Sequence, residues 1–310
     1  MTKKEEIHKI PELPEEIIEA GKNGQLVMFV GAGASMMQNL PSWNQLATKV
    51  LYSMQAKGYI TFADIEQLRS LDARKQLSIS KSIADSNGDR VDLSTHLTGG
   101  SPNKGIYKII NNIGCVCVTT NYDSLLAPCI DGTDDFDGST AARSVRRVYR
   151  RDELLANVLD EPGTVIHLHG SIEDEDSLIF TTEHYLRHYD SESVQHFLGS
   201  LFERKTVLFL GYGLEEAEIL EHILRRGMAR VGKEKTRFSI QAFYKSQEPL
   251  YLQLREYYEN TFGVHLIGFN RDYQDYNQLE IVMRKWAEKI QIREPSLVED
   301  LNVMKSVLNK

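Results

Sequence analysis

Four times along the chain a short, almost unbroken apolar run stops at a cluster of small or hydrogen-bonding residues and gives way to a stretch of helical character. Leu26–Val30 meets Gly31-Ala32-Gly33-Ala34-Ser35, Cys115–Val118 meets Thr119-Thr120-Asn121-Tyr122-Asp123, Thr164–Leu168 meets His169-Gly170-Ser171, and Thr206–Leu210 meets Gly211-Tyr212-Gly213-Leu214. Runs this short and this apolar suit strands buried on both faces, as in a parallel sheet covered by crossover helices. Phe238–Phe243 and Gly263–Phe269 add two candidate strands, and Glu248–Asn260 and Tyr273–Ile290 add two candidate helices. The pattern predicts an α/β fold with a doubly wound, Rossmann-like parallel sheet. Such sheets bind ligands at the carboxyl ends of their strands, where all four polar clusters fall.

Residues 6–24 set Ile7, Ile10, Ile17, Ile18 and Ala20 among charged residues and predict an N-terminal amphipathic helix within 1–24, ended by Gly21 and Gly24. Residues 25–310 are expected to form one continuous domain. Two stretches inside it break the alternation and are expected as helical insertions forming a smaller lobe: 60–112, polar and helix-prone, and 131–162. The second runs from an acidic turn (Asp131, Asp134, Asp135, Asp137) into Arg143, Arg146, Arg147, Arg150 and Arg151. That basic stretch reads as a solvated face offset by the neighbouring acids, with contact to a partner, a phosphate or nucleic acid as the alternative. Tyr257, Tyr258, Phe262, Tyr273 and Tyr276 read as core or subunit interface.

The three cysteines, Cys115, Cys117 and Cys129, are an odd number in a long chain and include no Cys-x-x-Cys pair. They argue against a disulfide framework and against structural zinc, so no metal is expected. With 44 acidic against 36 basic residues, general phosphate neutralisation is weak and direct nucleic-acid binding is not expected. No apolar run approaches the ~18 residues of a membrane helix, and the charged start Met1–His8 lacks the apolar core of a signal peptide. A cytoplasmic protein without membrane contact is the expectation.

The glycines of Gly31–Ser35 would let the backbone pass close to a pyrophosphate, with the following helix aimed at it. Yet Met36 stands where the dinucleotide fingerprint has its third glycine, and no acid lies between Ser35 and Asp64 to hold an adenosine ribose, which disfavours a standard dehydrogenase. A tight strand-to-helix turn without ligand is the alternative. Asn121 and Asp123 converge with two threonines at the next strand end, although Asp123 could instead cap a helix from Ser124. His167 and His169 alternate at the third. His169, last before Gly170, is the candidate for chemistry, and His167 reads as structural.

Taken together, these four clusters, in this order and spacing, resemble the sirtuin family, most closely its bacterial branch of NAD hydrolases from antiphage defence, where Pro41-Ser42-Trp43 also looks like the usual sequel to the glycine loop. The resemblance covers about residues 25–215. It implies that 25–310 is a sirtuin-like NAD-binding catalytic domain and that NAD is the substrate. It implies that Gly31, Ala32, Gly33 and Ser35 line the pyrophosphate and adjacent ribose, that Asn121 and His169 are the catalytic pair, that Asp123 contacts the nicotinamide amide, and that Gly211 and Gly213 lie near the adenosine. It further implies a homo-oligomer, or gating by a separately encoded HerA-type ATPase or Argonaute-like activator. Three departures from protein deacylases stand out: the paired Cys-x-x-Cys module is absent, Met36–Trp43 replaces the common Phe-Arg sequel, and Tyr212-Gly213 replaces the common Thr-Ser. The expected reaction is therefore NAD hydrolysis to nicotinamide and ADP-ribose. Deacylation, and sensing of NAD or ADP-ribose without chemistry, are the alternatives.

Overall fold

The computed structural model describes residues 6–128, 145–214, 216–227, 236–290 and 292. Seven strands, β1 (Leu26–Val30), β2 (Val116–Thr119), β3 (Arg146–Val148), β4 (Thr164–His167), β5 (Thr206–Leu210), β6 (Arg237–Phe243) and β7 (His265–Asn270), form one sheet. Their order is β3-β4-β2-β1-β5-β6-β7 and every pairing is parallel. From β1 the chain crosses toward β2, and from β5 toward β6, so the connections diverge between β1 and β5. That divergence is the switch point at which doubly wound sheets open a crevice. Val30 is in register with Thr119 on one side and Leu210 on the other, so Gly31, Thr120 and Gly211 leave the sheet at one level.

All five residues of β1 are buried, and their side chains alternate between two cores. Met28 and Val30 pack under α1 (Glu15–Lys22), α6 (Gly105–Ile113) and α11 (Gln278–Ala287) through Ile17, Ile110 and Met283. Val27 and Phe29 face α8 (Glu192–Arg204) and α9 (Ala217–Gly227) through Phe197, Leu201 and Ile219. A third core belongs to a helical lobe of α3 (Trp43–Ala56), α4 (Phe62–Leu68) and α5 (Ala73–Ser86). Leu46, Val50, Met54 and Leu77 fill it, and Tyr122, Leu178 and Phe180 join it from the sheet side. Among the described residues the other α-helices are α2 (Ala32–Met36), α7 (Thr182–Tyr189) and α10 (Glu248–Phe262).

Several boundaries differ from those read in the sequence. The N-terminal helix starts only at Glu15, because Pro14 occupies its N-cap and, with Pro11, breaks the pattern. Residues ahead of it lie along the sheet edge instead. His8 O accepts from Asn270 N at 2.8 Å, Pro11 O accepts from Trp286 Nε1 at 3.0 Å, and Ile7 packs with Phe243 and Tyr251. The lobe draws on α3, upstream of residue 60, whereas α6 turns its Ile106 and Ile110 face into the main core. Within 131–162, residues 145–162 are described and contribute the edge strand β3. Arg146 and Arg147 of this strand pair with Glu161 and, at 3.7 Å, with Glu173, and Arg150 just after it pairs with Asp174 at 2.8 Å. Asp131–Asp137, Arg143 and Cys129 lie outside the described residues. Phe262 is core, whereas Tyr257, Tyr273 and Tyr276 are exposed. Among the described residues no helix is long and apolar enough to cross a membrane.

Candidate active site

At the switch point the ends of β1 and β5 are joined main chain to main chain. Gly31 N donates to Leu210 O at 2.9 Å and Gly33 N to Gly211 O at 2.8 Å. A Cβ on Gly31 would stand 2.6 Å from Gly211 O, and one on Gly33 would stand 2.8 Å from the same atom. The glycines are thus required for the approach of two loops, and these two amides are committed to the protein. The helix that follows, α2, has five residues, too short to contribute much of a macrodipole.

Beside this seam lies a cleft of about 510 Å³, in the ~300–1,000 Å³ range of small-molecule sites. Ala32, Gly33 and Ser35 from the β1 end, Asn121 and Asp123 from the β2 end, His169 from the β4 end and Gly211 and Gly213 from the β5 end all line it. Gly31 lies behind its wall and holds Asn121. The lobe contributes Trp43, whose ring meets Tyr122 at 5.6 Å, and Pro41-Ser42-Trp43 proves to be the start of α3, where Ser42 and Gln45 form a capping box.

Asn121 is held by a network that α6 completes. Its Nδ2 donates to Gly31 O at 3.0 Å and Ser35 Oγ at 2.9 Å. Because a carbonyl oxygen can only accept, the contact with Gly31 fixes which end of the amide is nitrogen. Its Oδ1 is left facing the cleft. Ser35 Oγ donates to Asp123 Oδ2 at 2.6 Å and accepts from Asn121 and from Tyr107 Oη at 2.8 Å, the full capacity of a hydroxyl. Asp123 Oδ1 accepts from Leu125 N at 3.1 Å, an Asx turn, and no helix starts at Ser124. Burial pushes the Asp123 carboxyl up, while the Ser35 and Leu125 hydrogen bonds pull it down, and the net shift is upward. Tyr107→Phe deletes the short bond to Ser35 Oγ and a long one accepted from Asn121 Nδ2 at 3.5 Å, and is expected to cost about 1 kcal/mol, read as a midpoint shift in urea unfolding with unchanged slope.

The two histidines have separate roles. His167 is fully buried, and its Nδ1 bonds Asn121 O at 3.1 Å, so it holds the backbone of Asn121; burial lowers its pKa to about 4. His169, 1% exposed, is bracketed by α7: Nε2 pairs with Tyr189 Oη at 2.8 Å and Nδ1 with Tyr185 Oη at 3.3 Å. Burial, aided by His188 and Arg74, holds its pKa well below the usual value, so the ring is a neutral imidazole at physiological pH.

Sequence reasoning missed the side chains that helices bring to this cleft. Tyr185, His188 and Tyr189 crowd His169 from α7, and the i, i+4 tyrosines on one short helix were the available signal. Arg74 comes from α5 and bonds Glu218 at 2.6 Å while its guanidinium lies 3.8 Å from the Tyr185 ring centre, tying the lobe to the sheet side. Glu216 precedes α9. It keeps 24% side-chain exposure through the cleft mouth, yet burial pushes its carboxyl up to about 7. Among the described residues no group of three or more His, Cys, Asp or Glu could hold a metal ion.

Residues 116–267 match the family model of the SIR2-like domain, a span that includes Asn121, Asp123, His169, Gly211 and Gly213. The chain is similar to the NAD(+) hydrolase ThsA of Enterococcus faecium, 27% identical over 222 residues that make up 66% of this chain and 40% of that protein. It is also similar to defense-associated sirtuin 2 of Bacillus subtilis, 24% identical over 297 residues, covering 88% of this chain and 26% of that protein. The chain therefore spans less than half the length of either relative.

Proposed function

We propose that this chain, whose residues 116–267 match the family model of the SIR2-like domain, is an NAD hydrolase, cleaving the nicotinamide–ribose bond to give nicotinamide and ADP-ribose. The observation that carries the proposal is the meeting of Asn121 and His169, from the ends of β2 and β4, in one cleft beside the β1–β5 seam. The leaving group is a pyridinium that departs neutral, so no general acid is needed. The barrier lies in the oxocarbenium-like ribose and in delivering a nucleophile to its other face. Asn121, immobilised through Nδ2, presents Oδ1 to a water or ribose hydroxyl, and His169, kept neutral, accepts a hydrogen bond from it. Asp123 holds the nicotinamide amide. Ala32, Gly33 and Ser35 lie against the pyrophosphate and adjacent ribose with Gly31 behind them, and Gly211 and Gly213 lie on the adenosine side. NAD is substrate here, and the reaction calls for no metal.

One relative is named an NAD(+) hydrolase and the other a defense-associated sirtuin, which supports a role in antiphage defence in which the enzyme depletes NAD. Such an activity must be held in check until infection, by oligomerisation or by an activator such as a HerA-type ATPase or an Argonaute-like protein. The pairing of both His169 nitrogens with tyrosine hydroxyls supports a gated site, since α7 must yield before the imidazole can reach a substrate. The test is nicotinamide release from NAD by the purified chain, alone and after co-expression with its genomic neighbours, first with no peptide present and then with an acylated peptide added. Release is expected; release only with an acylated peptide would mean a deacylase, and NAD binding without release in either preparation would mean a sensor.

A further inference from the structure

Among the described residues three carboxylates line the cleft, and their partners separate them. Asp123 is taken up by Ser35 Oγ and Leu125 N, and Glu218 is bonded to Arg74 at 2.6 Å. Glu216 Oε2 is buried without a hydrogen-bond partner, 3.9 Å from His169 Nε2. The Tyr212 hydroxyl, on the loop after β5, reaches toward this carboxyl closely enough to pull its pKa down, but the contact is too loose to satisfy either Tyr212 Oη or Glu216 Oε2 as a full hydrogen bond. Two unpartnered polar atoms and the edge of a histidine around one spot are satisfied together by a small polar guest that donates to the carboxylate. His169 itself is a poor resting place for a proton, because burial, with His188 and Arg74 nearby, disfavours the imidazolium.

We propose that Glu216 receives the proton lost by the attacking water in the hydrolysis described above, an inference that rests on that reading. In this step the water oxygen forms a bond to C1′ of the ribose and the C1′–N bond breaks. Its electron pair goes to the pyridinium, which leaves as neutral nicotinamide. One water proton passes to the Glu216 carboxylate, and the resulting acid returns it to solvent before the next turnover. Asn121 and His169 orient the same water.

The role sets a pH dependence. The groups facing Glu216 are Tyr212 from the β5 loop, Glu218 on α9, Arg74 on α5, His169 after β4, Tyr122 after β2, and Tyr185 and Tyr189 on α7. Burial is the largest influence on its carboxyl and, with the Glu218 charge, raises it, whereas Tyr212 and Arg74 lower it, leaving it at about 7. Only the ionised form accepts a proton, so kcat should rise with pH through this value and level off above it. The same shift has a stability consequence of known sign. A folded pKa above the unfolded one favours the native state at low pH, and that contribution is lost as pH rises through about 7.

The experiment compares the wild type with Glu216→Gln and Glu216→Asp for nicotinamide release between pH 5.5 and 9, and for Tm at pH 5 and pH 8, under the condition that gives wild-type release. Glu216→Gln is expected to lower kcat about 10²-fold or more at pH 8, to leave KM for NAD nearly unchanged and to flatten the limb near pH 7. Its Tm should exceed the wild type's at pH 8 and match it at pH 5, which also shows that it folds. Glu216→Asp should restore part of the rate and the pH dependence. An active wild type with an equally active Glu216→Gln of unchanged pH profile overturns the role of Glu216 and leaves the hydrolase reading standing. Absence of release by wild type both alone and with its neighbours overturns both.

Discussion

Asn121→Ala is expected to lower nicotinamide release by about 10³-fold, within the ~10²–10⁴ range for loss of one positioned catalytic group. The residue has no slack to be replaced by a neighbour. Its Nδ2 is pinned by Gly31 O and Ser35 Oγ, its main-chain carbonyl by His167, and its amide nitrogen donates to Thr119 Oγ1 at 3.0 Å. Truncation leaves the Gly31 carbonyl and the Ser35 hydroxyl short of a donor, at about 1 kcal/mol each, so a moderate fall in stability accompanies the loss of rate. The two are separated by assaying well below the variant's melting temperature, with circular dichroism to confirm the fold. His169→Ala is expected to be equally inactive for a different reason: Tyr185 and Tyr189 lose the acceptor and donor between them, and the nucleophile loses its neutral imidazole. Undiminished turnover in both variants would remove the pair from the chemistry.

Gly211→Ala is expected to produce a large loss of stability. The residue has φ of +60°, where an L side chain costs ~1–2 kcal/mol. The added Cβ would also stand 2.6 Å from Ala34 N, a backbone atom that cannot move without shifting α2. Strain and overpacking together give about 3–4 kcal/mol, or a fall in Tm on the order of 10 °C. Gly58→Ala provides the control. It shares the positive φ, at +77°, but meets nothing within 4 Å, so it should show the backbone cost alone. If the two variants melt together, the close approach of the loops is not under the tension described. Gly31→Ala probes the same seam from the other side, with the Cβ 2.6 Å from Gly211 O and an ordinary extended φ, and its effect should not add to that of Gly211→Ala.

The strands that carry the cleft were legible because a strand buried on both faces leaves a continuous apolar mark, and because the polar residues at its end interrupt that mark abruptly. Leu26–Val30 with Gly31 and Thr206–Leu210 with Gly211 are of this kind. β3 was not legible: it is three residues long, two of them arginines, and only Val148 is buried. The N-terminal segment misled in the opposite direction, since Ile7 and Ile10 continue the helical spacing of Ile17 and Ile18 although Pro11 and Pro14 forbid the helix. Within the site, residues at strand ends could be read one by one. Tyr107, Arg74, Tyr185, Tyr189 and Glu216 could not, because each comes from or beside a helix of ordinary composition and becomes significant only through what the fold sets beside it.

The seam between the β1 and β5 loops separates two properties that enzymes often entangle. It is made by peptide groups and asks only that Gly31, Gly33 and Gly211 remain without side chains. Ala32 and Gly213, which line the cleft on either side, take no part in its two hydrogen bonds. Substitution at those flanking positions could therefore alter which ligand is preferred without displacing the floor on which it rests. Descendants of this chain could drift in substrate choice while inheriting an unchanged place for the chemistry.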